Sequence, residues 1–289
     1  MSFVAHAQAH GLMVNYVIPD GRWHRVPTVD KPRKRNGAYV YDGQSGVVKN
    51  WATMDGFARY GSGVIKQIFN FTGEEDRIRH ARAAKQANDL IQFSTVKNHP
   101  YLTAKGFPKT TGLVADEELI IPMRDYKTQK LTGAQRIKPD GRKLFIPGTR
   151  AKGSVFVLGR GKESWLVEGY ATGLSVHAAL TTMYRTAQVV VCFSASNLSY
   201  VAERIGGERF IVADHDESGT GQRVAESSGL PWVMSPETGD ANDLHQQKGL
   251  LAVKSMLKNL ILSKCRAQKI NSDGLGDSPK STMKSQGLS

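Results

Sequence analysis

The sequence predicts an α/β protein whose C-terminal part is a Rossmann-like parallel sheet with flanking helices. From residue 165 onward, short apolar segments alternate with helical patterns, which is typical of parallel strands joined by crossover helices. Residues 101–159 contain short strand patterns separated by Gly, Asp and Lys turns, and they predict a basic β-rich subdomain. Residues 20–51 mix Arg, Lys, Gly and Pro with Trp and Tyr, and they predict a small basic N-terminal module.

Composition and charge bound the class of protein. The chain has 289 residues, enough for about two domains, and a mean hydropathy of -0.36. It shows no signal-peptide pattern, and its apolar runs are far shorter than the ~18 residues of a membrane span, so we expect a cytoplasmic protein with no membrane partner. Residues 1–150 carry 24 Lys and Arg against 13 Asp and Glu, whereas residues 151–289 carry 15 against 13. A basic front half indicates a polyanionic partner such as nucleic acid.

The N-terminal half predicts one hairpin and one helix. Residues 38–41 and 46–51 have strand patterns on either side of Asp42-Gly43, a dipeptide that favours a tight hairpin turn. Residues 74–93 predict a connecting helix, because an acidic first turn is followed by apolar residues at helical spacing.

The C-terminal half predicts eight strands and four helices, followed by a polar tail expected to be disordered. The strand patterns lie at 119–122, 131–137, 143–147, 154–158, 165–168, 187–193, 209–213 and 231–234. The helical patterns lie at 171–184, 197–205, 219–228 and from Asn242 onward. The expected domains are a basic nucleic-acid-binding module (1–72), a helical connector (73–98), a basic β-rich subdomain (99–159), the parallel-sheet domain (160–262) and the tail (263–289).

Carboxylates follow successive predicted strands. Glu168 ends one apolar strand, and Asp214 and Asp216 end another. Because ligands gather at the carboxyl ends of parallel strands, these side chains are expected to meet at one edge of the sheet and to bind Mg²⁺ or Mn²⁺. Asp240 and Asp243 follow a third strand and offer further ligands. The alternative is structural, since Asp216, Asp240 and Asp243 are each placed to cap a helix.

These segments resemble a known domain. The stretches L-V-E-G-Y-A-T-G at 166–173, A-D-H-D-E-S-G at 213–219 and G-D-A-N-D-L at 239–244 resemble the Toprim domain, and more narrowly its version in phage and plasmid primases. The resemblance covers about residues 160–250. It implies that Glu168, Asp214 and Asp216 are the catalytic metal ligands, with Asp240 and Asp243 in support. Bacterial chromosomal primases often have an aspartate where this chain has Thr172.

The basic residues extend the resemblance. The stretch Y-L-T-A-K-G at 101–106 resembles the start of the basic subdomain of such primases, which implies that Lys105, Arg136, Lys143 and Lys152 contact template or nucleotide. Many primases begin with a zinc ribbon, but two cysteines cannot build one here. The basic N-terminal residues are expected to bind DNA instead; they are Arg22, Arg25, Arg33, Lys34 and Arg35.

The resemblance implies a DNA primase that makes short RNA primers on single-stranded DNA from ribonucleoside triphosphates. Such an enzyme of a phage or plasmid in a bacterial cell is expected to work with a separate replicative helicase. Two alternatives remain open: a Toprim-type nuclease, which uses the same metals with water as nucleophile, and a non-catalytic single-strand-binding accessory protein.

Overall fold

The computed structural model describes residues 2–54, 56–61, 66–217 and 219–273, with the backbone alone at 66–75 and 266–273. The chain divides into two compact units, Met1–Ile78 and Arg79–Ser289. None of the helices in the described ranges is long and apolar enough to cross a membrane.

The first unit is a small antiparallel sheet with one helix. Its elements are α1 (Phe3–Ala9), β1 (His24–Val26), β2 (Gly37–Tyr41), β3 (Gly46–Asn50) and β4 (Ala58–Tyr60), and the strands lie in the order β1-β2-β3-β4. The predicted hairpin is confirmed as β2 and β3. Its turn is held by the Asp42 carboxylate, which accepts the backbone N–H groups of Gln44 and Ser45 at 2.9 and 2.7 Å.

The core of the first unit lies on one face of this sheet. Phe3 of α1 stacks on Tyr41 with ring centroids 4.3 Å apart, and it meets Tyr39 edge-on. Leu12 and Val48 complete the same buried cluster. Aromatic burial therefore fixes α1 against the sheet.

Helix α2 (Lys66–Gln92) begins eight residues before the predicted start at Glu74. The predicted start relied on the acidic first turn, but the backbone is already helical through Thr72 and Gly73. A single glycine costs a helix only about 1 kcal/mol relative to alanine, which is too little to stop one of this length.

The second unit contains a ten-stranded sheet and six further helices in the described residues. All eight strands predicted there are present, together with β5, β6 and α3, which were not predicted. The elements are β5 (Thr95–Lys97), α3 (Pro100–Ala104), β6 (Gly112–Ala115), β7 (Glu118–Asp125), β8 (Leu131–Ile137), β9 (Lys143–Phe145), β10 (Ser154–Gly159), β11 (Glu163–Val167), α4 (Tyr170–Thr182), β12 (Ala187–Val191), α5 (Ala195–Ala202), β13 (Glu208–Ala213), α6 (Thr220–Ser227), β14 (Trp232–Met234), α7 (Ala241–Lys248) and α8 (Leu250–Asp273).

The sheet is mixed rather than purely parallel. Strands β14, β13, β11 and β12 lie side by side and are parallel, as predicted for this part of the chain. The remaining pairs are antiparallel, and β10 joins the two parts because it pairs with β12 on one side and β7 on the other. The predicted β-rich subdomain thus continues the same sheet.

Helices cover both faces of the parallel part, since alternate residues of each strand point to opposite sides. Trp165 stacks on Phe210 at 4.3 Å and packs with residues of α4, α7 and α8. On the other face, Leu166 and Ile211 pack with Cys192 and with residues of α5 and α6. The Cys192 thiol is fully buried, and burial raises its pKa.

Helix α8 continues to Asp273, eleven residues past 262, where the sequence predicts that order ends. The polar segment that follows Leu262 is rich in Lys, Arg, Ala and Gln, which are good helix formers even without an apolar stripe. Residues 274–289 of the predicted tail lie outside the described residues.

Candidate functional site

The sheet brings Glu168 and Asp214 to one edge. Strands β11 and β13 are parallel neighbours, with Leu166 opposite Ile211. Glu168 follows the last residue of β11, and Asp214 follows the last residue of β13, so both lie at the carboxyl end of the sheet. The expectation that these two strands are parallel neighbours is confirmed.

Burial and mutual repulsion act on these carboxyl groups. Burial raises the pKa of Asp214 to about 7, and the negative charges of Asp240, Glu168 and Asp216 contribute to that shift. The pKa of Glu168 is also raised, by burial first and then by Asp216. One carboxylate oxygen of Asp214, Oδ1, is buried without a hydrogen-bond partner. An acidic group in such a place favours either a proton or a cation.

Asp240 and Asp243 cap helix α7, as the structural alternative stated. Asp240 Oδ1 accepts the backbone N–H groups of Asn242 and Asp243 at 2.6 and 3.0 Å, and Asp243 Oδ2 accepts that of Asp240 at 3.0 Å. The second oxygen of Asp240 accepts the Thr172 hydroxyl at 3.0 Å. The cap nevertheless leaves a negative charge that acts on Asp214.

The segment that carries Asp216 is tied to the start of this cap. His215 and Gly239 exchange two backbone hydrogen bonds of 3.0 and 2.8 Å. Asp216 itself is exposed, and Gly219 rather than Asp216 is the N-cap residue of α6. These two hydrogen bonds hold the segment of the aspartate pair beside the start of α7.

Two lysines face a cavity of about 360 Å³ beside the carboxylates. Lys105 and Lys143 line it together with Tyr101 and the turn at 139–141. The positive charge of Lys143 lowers the pKa of both Glu168 and Asp214, which shows that it acts on the acidic edge. The Tyr101 hydroxyl is buried without a partner, and its pKa is raised by burial and by Asp240.

A buried asparagine connects Lys105 to helix α7. The Asn242 amide donates to the Lys105 carbonyl at 2.9 Å and to the Ser175 hydroxyl at 3.0 Å. Ser175 in turn contacts a ring nitrogen of His245 at 3.1 Å, and Lys105 Nζ lies 3.8 Å from Asp243 Oδ1. Neither Asn242 nor Ser175 was predicted to have a role. The only sequence signal for Asn242 was its place within the G-D-A-N-D-L stretch at 239–244.

The other predicted basic residues of this unit lie elsewhere. The Arg136 guanidinium is 2.8 Å from the Glu118 carboxylate, in a partly buried ion pair. Lys152 Nζ lies 4.8 Å from the Tyr200 ring, at a separate cavity of about 570 Å³ that Arg204 also lines. The structure thus brings Lys105 and Lys143 together and places Arg136 and Lys152 at two other positions.

The five basic residues predicted to bind DNA in the first unit are exposed. The Arg25 guanidinium donates two hydrogen bonds to the Arg35 carbonyl, at 3.1 and 2.6 Å, and lies 4.2 Å from the centre of the Trp51 ring. The remaining three are Arg22, Arg33 and Lys34.

The carboxylates of the second unit have the right donor chemistry for a hard divalent cation. The unpartnered Asp214 oxygen and the mutual rise in pKa both favour a cation at this edge. Within the described ranges, no group of three or more His, Cys, Asp or Glu side chains is already gathered closely enough to hold one.

Comparison with known proteins gives weak likenesses. No family model matches the chain. The RNA polymerase domain of primase DnaG from Mycobacterium tuberculosis is 19% identical, with a TM-score of 0.36 over 57% of this chain and 65% of that chain. A bacteriophage T7 complex of lagging-strand DNA polymerase with gp4 primase domains, an RNA/DNA hybrid and dTTP gives 15% identity and a TM-score of 0.39, covering 54% of this chain and 83% of that chain. The chain therefore spans less than two thirds of the DnaG domain, and these values identify neither a family nor an activity.

Proposed function

We propose that this protein is a Toprim-type DNA primase of the phage or plasmid kind, which makes short RNA primers on single-stranded DNA. One observation carries the proposal: Lys105 and Lys143 line a cavity beside the strand-end carboxylates, and the charge of Lys143 acts on both Glu168 and Asp214. Nucleotide transfer requires cations for phosphate oxygens next to acidic groups that hold a metal. The Toprim-like sequence stretches fall at this same edge.

The reaction would join a ribonucleotide 3′-hydroxyl to the α-phosphate of the next triphosphate and release pyrophosphate. Lys105 and Lys143 would bind phosphate oxygens of the incoming nucleotide, since both line one cavity. Glu168 would accept the proton of the attacking hydroxyl, a role that suits a carboxylate with a raised pKa.

Glu168, Asp214 and Asp216 would hold Mg²⁺ or Mn²⁺, supported by Asp240 and Asp243. When bound, the metal would neutralise charge on the phosphates. Hydrogen bonds from the Thr172 hydroxyl and from the backbone N–H groups at the start of α7 would orient the Asp240 carboxylate.

Template binding would use the remaining basic residues. The N-terminal unit would contact single-stranded DNA through Arg22, Arg25, Arg33, Lys34 and Arg35, while Lys152 and Arg136 would contact template or nucleotide away from the metal. A separate replicative helicase would supply the unwound strand in the bacterial cytoplasm.

Primer synthesis on single-stranded phage DNA with labelled ribonucleotides tests the proposal. We expect Glu168→Gln and Asp214→Asn each to lower primer yield by at least about 100-fold, because each removes a negative charge next to the reacting phosphates. Asp116→Asn is the matched control, since Asp116 is exposed in the turn between β6 and β7 and has no place in the proposed site. Full synthesis by both site variants would exclude the proposed roles.

An assay without nucleotides distinguishes the nuclease alternative from the primase. Labelled DNA or RNA cut by the wild type with Mg²⁺, but not by Asp214→Asn, would favour hydrolysis at the same carboxylates. Single-strand binding without synthesis or cleavage, with either Mg²⁺ or Mn²⁺, would favour the accessory protein. The two-lysine cavity favours the primase, since a nucleoside triphosphate carries more negative charge than the single phosphodiester that a nuclease attacks.

A further inference from the structure

One face of the sheet in the first unit carries partly exposed aromatic rings and cations beside a small buried pair, Val40 and Val47. Strand β1 pairs with β2 and β2 with β3 in a register that puts the side chains of Arg25 and Lys49 on the same side. The Arg25 guanidinium lies over the Trp51 ring and the Lys49 ammonium lies near the Phe57 ring, so both rings belong to that side. Phe57 contacts Trp23, with ring centroids 5.8 Å apart. We call Trp23, Arg25, Lys49, Trp51 and Phe57 the aromatic face.

The rings of the aromatic face remain open to solvent. Trp23, Trp51 and Phe57 are 39, 46 and 50% exposed, whereas the rings of the opposite face, such as Tyr39, are buried against α1. Large aromatic side chains grouped on a surface contribute little to folding and mark a binding surface.

Cations are built into the same surface. The exposed Arg25 guanidinium lies 4.2 Å from the centre of the Trp51 ring. The Lys49 side chain is buried; its ammonium donates to the Met54 carbonyl at 2.6 Å and lies 5.6 Å from the centre of the Phe57 ring, so Lys49 supports that ring while Arg25 faces solvent. Residues 1–61 carry eight Lys and Arg against four Asp and Glu, so the unit as a whole attracts an anion.

We propose that the aromatic face binds single-stranded nucleic acid by stacking bases on Trp23, Trp51 and Phe57, with Arg25 and its basic neighbours contacting phosphates. Single strands suit such a surface because their bases have free faces, whereas the bases of a duplex are already stacked. This proposal deepens the proposed function, since the template of a primase is a single strand.

Intrinsic fluorescence and anisotropy of the full chain test the proposal. Bases stacked on Trp23 and Trp51 will quench their emission on titration with oligo-dT, whereas Trp165 is fully buried and will not respond. We expect Trp23→Leu and Trp51→Leu each to weaken binding of labelled oligo-dT by about tenfold, in line with the worth of one stacked base. Trp51→Phe keeps a ring and should bind within about threefold of wild type.

The control is Phe93→Leu, which removes a ring that is 82% exposed and lies outside the aromatic face. Unchanged affinity in both leucine variants, or no quenching in the wild type, would overturn the proposal, and the aromatic face would then suit a protein partner. Equal affinity for a duplex would also overturn it. The two proposals can be distinguished. Asp214→Asn should bind oligo-dT like the wild type while making no primer. If the wild type stacks bases but makes no primer, the aromatic face would be the site of an accessory protein.

Discussion

Asp214 lies in an electrostatically unfavourable position in the second unit. Its buried oxygen has no hydrogen-bond partner, and its pKa is raised by burial and then by the neighbouring carboxylates Asp240 and Glu168. Burying a carboxylate beside other carboxylates costs stability when no cation lies between them. The cost at Asp214 is therefore the quantity that a bound cation would relieve under the proposed function.

The stability of the cation-free protein should depend on pH through Asp214. The pKa is 3.8 in the unfolded chain and about 7 when folded, so between these values the folded state holds a proton that the unfolded state has lost. The free energy of unfolding should fall as pH rises from about 4 to about 7, by at most about 4 kcal/mol. Urea titrations in EDTA measure this slope.

Asp214→Asn should flatten that pH profile, because the amide does not titrate. Adding Mg²⁺ at pH 8 should stabilise the wild type more than Asp214→Asn. A profile that is the same in both proteins would show that Asp214 does not carry the charge penalty.

At the residue scale, strand-end position predicted that Glu168 and Asp214 follow neighbouring parallel strands, as β11 and β13 do. It did not predict Thr172 or Asn242. Their partners lie 68 and 137 residues away in sequence, at Asp240 and Lys105, and no local pattern encodes such a distance. Ion pairs could not be predicted from the sequence either, since Glu118 becomes a neighbour of Arg136 only when β7 and β8 pair.

At the element scale, α4 lies unusually close to the sheet. A Cβ atom at Gly173 would come within 2.7 Å of the Val191 side chain on β12. Because Gly173 has no side chain, the helix that follows Glu168 can approach the strands closely. Gly173 therefore influences the distance between the start of α4 and the carboxylates.

Gly173→Ala should therefore destabilise the protein, although alanine ordinarily favours a helix. We expect the free energy of unfolding to fall by about 1–3 kcal/mol, the usual cost of overpacking. Gly206→Ala is the control, because a Cβ atom there meets nothing within 4 Å and should change stability by less than about 0.5 kcal/mol. Chemical denaturation of the two variants measures these changes in the free energy of unfolding. A Gly173→Ala protein more stable than the wild type would contradict the close approach of α4 to the sheet.

Most elements after residue 160 were predictable, and most of those that were missed are short. The strands and the first three helices after residue 160 were predicted within a few residues, because they follow apolar patterns. The single helix predicted from Asn242 onward is wrong, since α7 ends at Lys248 and α8 begins at Leu250, after Gly249. The missed elements are α1, with seven residues, and α3, β1, β4, β5 and β6, with three to five residues each. Tertiary pairing rather than local propensity defines them.

At the scale of the whole molecule, two compact units share one chain. The order of strands in the large sheet was not predictable, since β10 connects the parallel part to the antiparallel part by pairings that no sequence pattern specifies. The charge asymmetry was predictable, because it depends on composition alone.

Calorimetry should resolve two unfolding transitions. Phe3→Ala removes the central ring of the first unit and should destabilise it by about 3–5 kcal/mol, shifting one transition only. Leu166→Ala should shift the other transition, since Leu166 is fully buried in the large sheet. A single transition that moves as a whole in both variants would show that the chain unfolds as one cooperative body.

The two cysteines differ in a way that experiments can use. Cys192 is closed off beneath α5 with a raised pKa, whereas Cys265 lies exposed on α8. A maleimide reacts with thiolate, so a fluorophore should attach to Cys265 alone without engineering of the chain. The distance between this dye on α8 and a second dye on the end of a bound oligonucleotide would report the path of the strand across the protein.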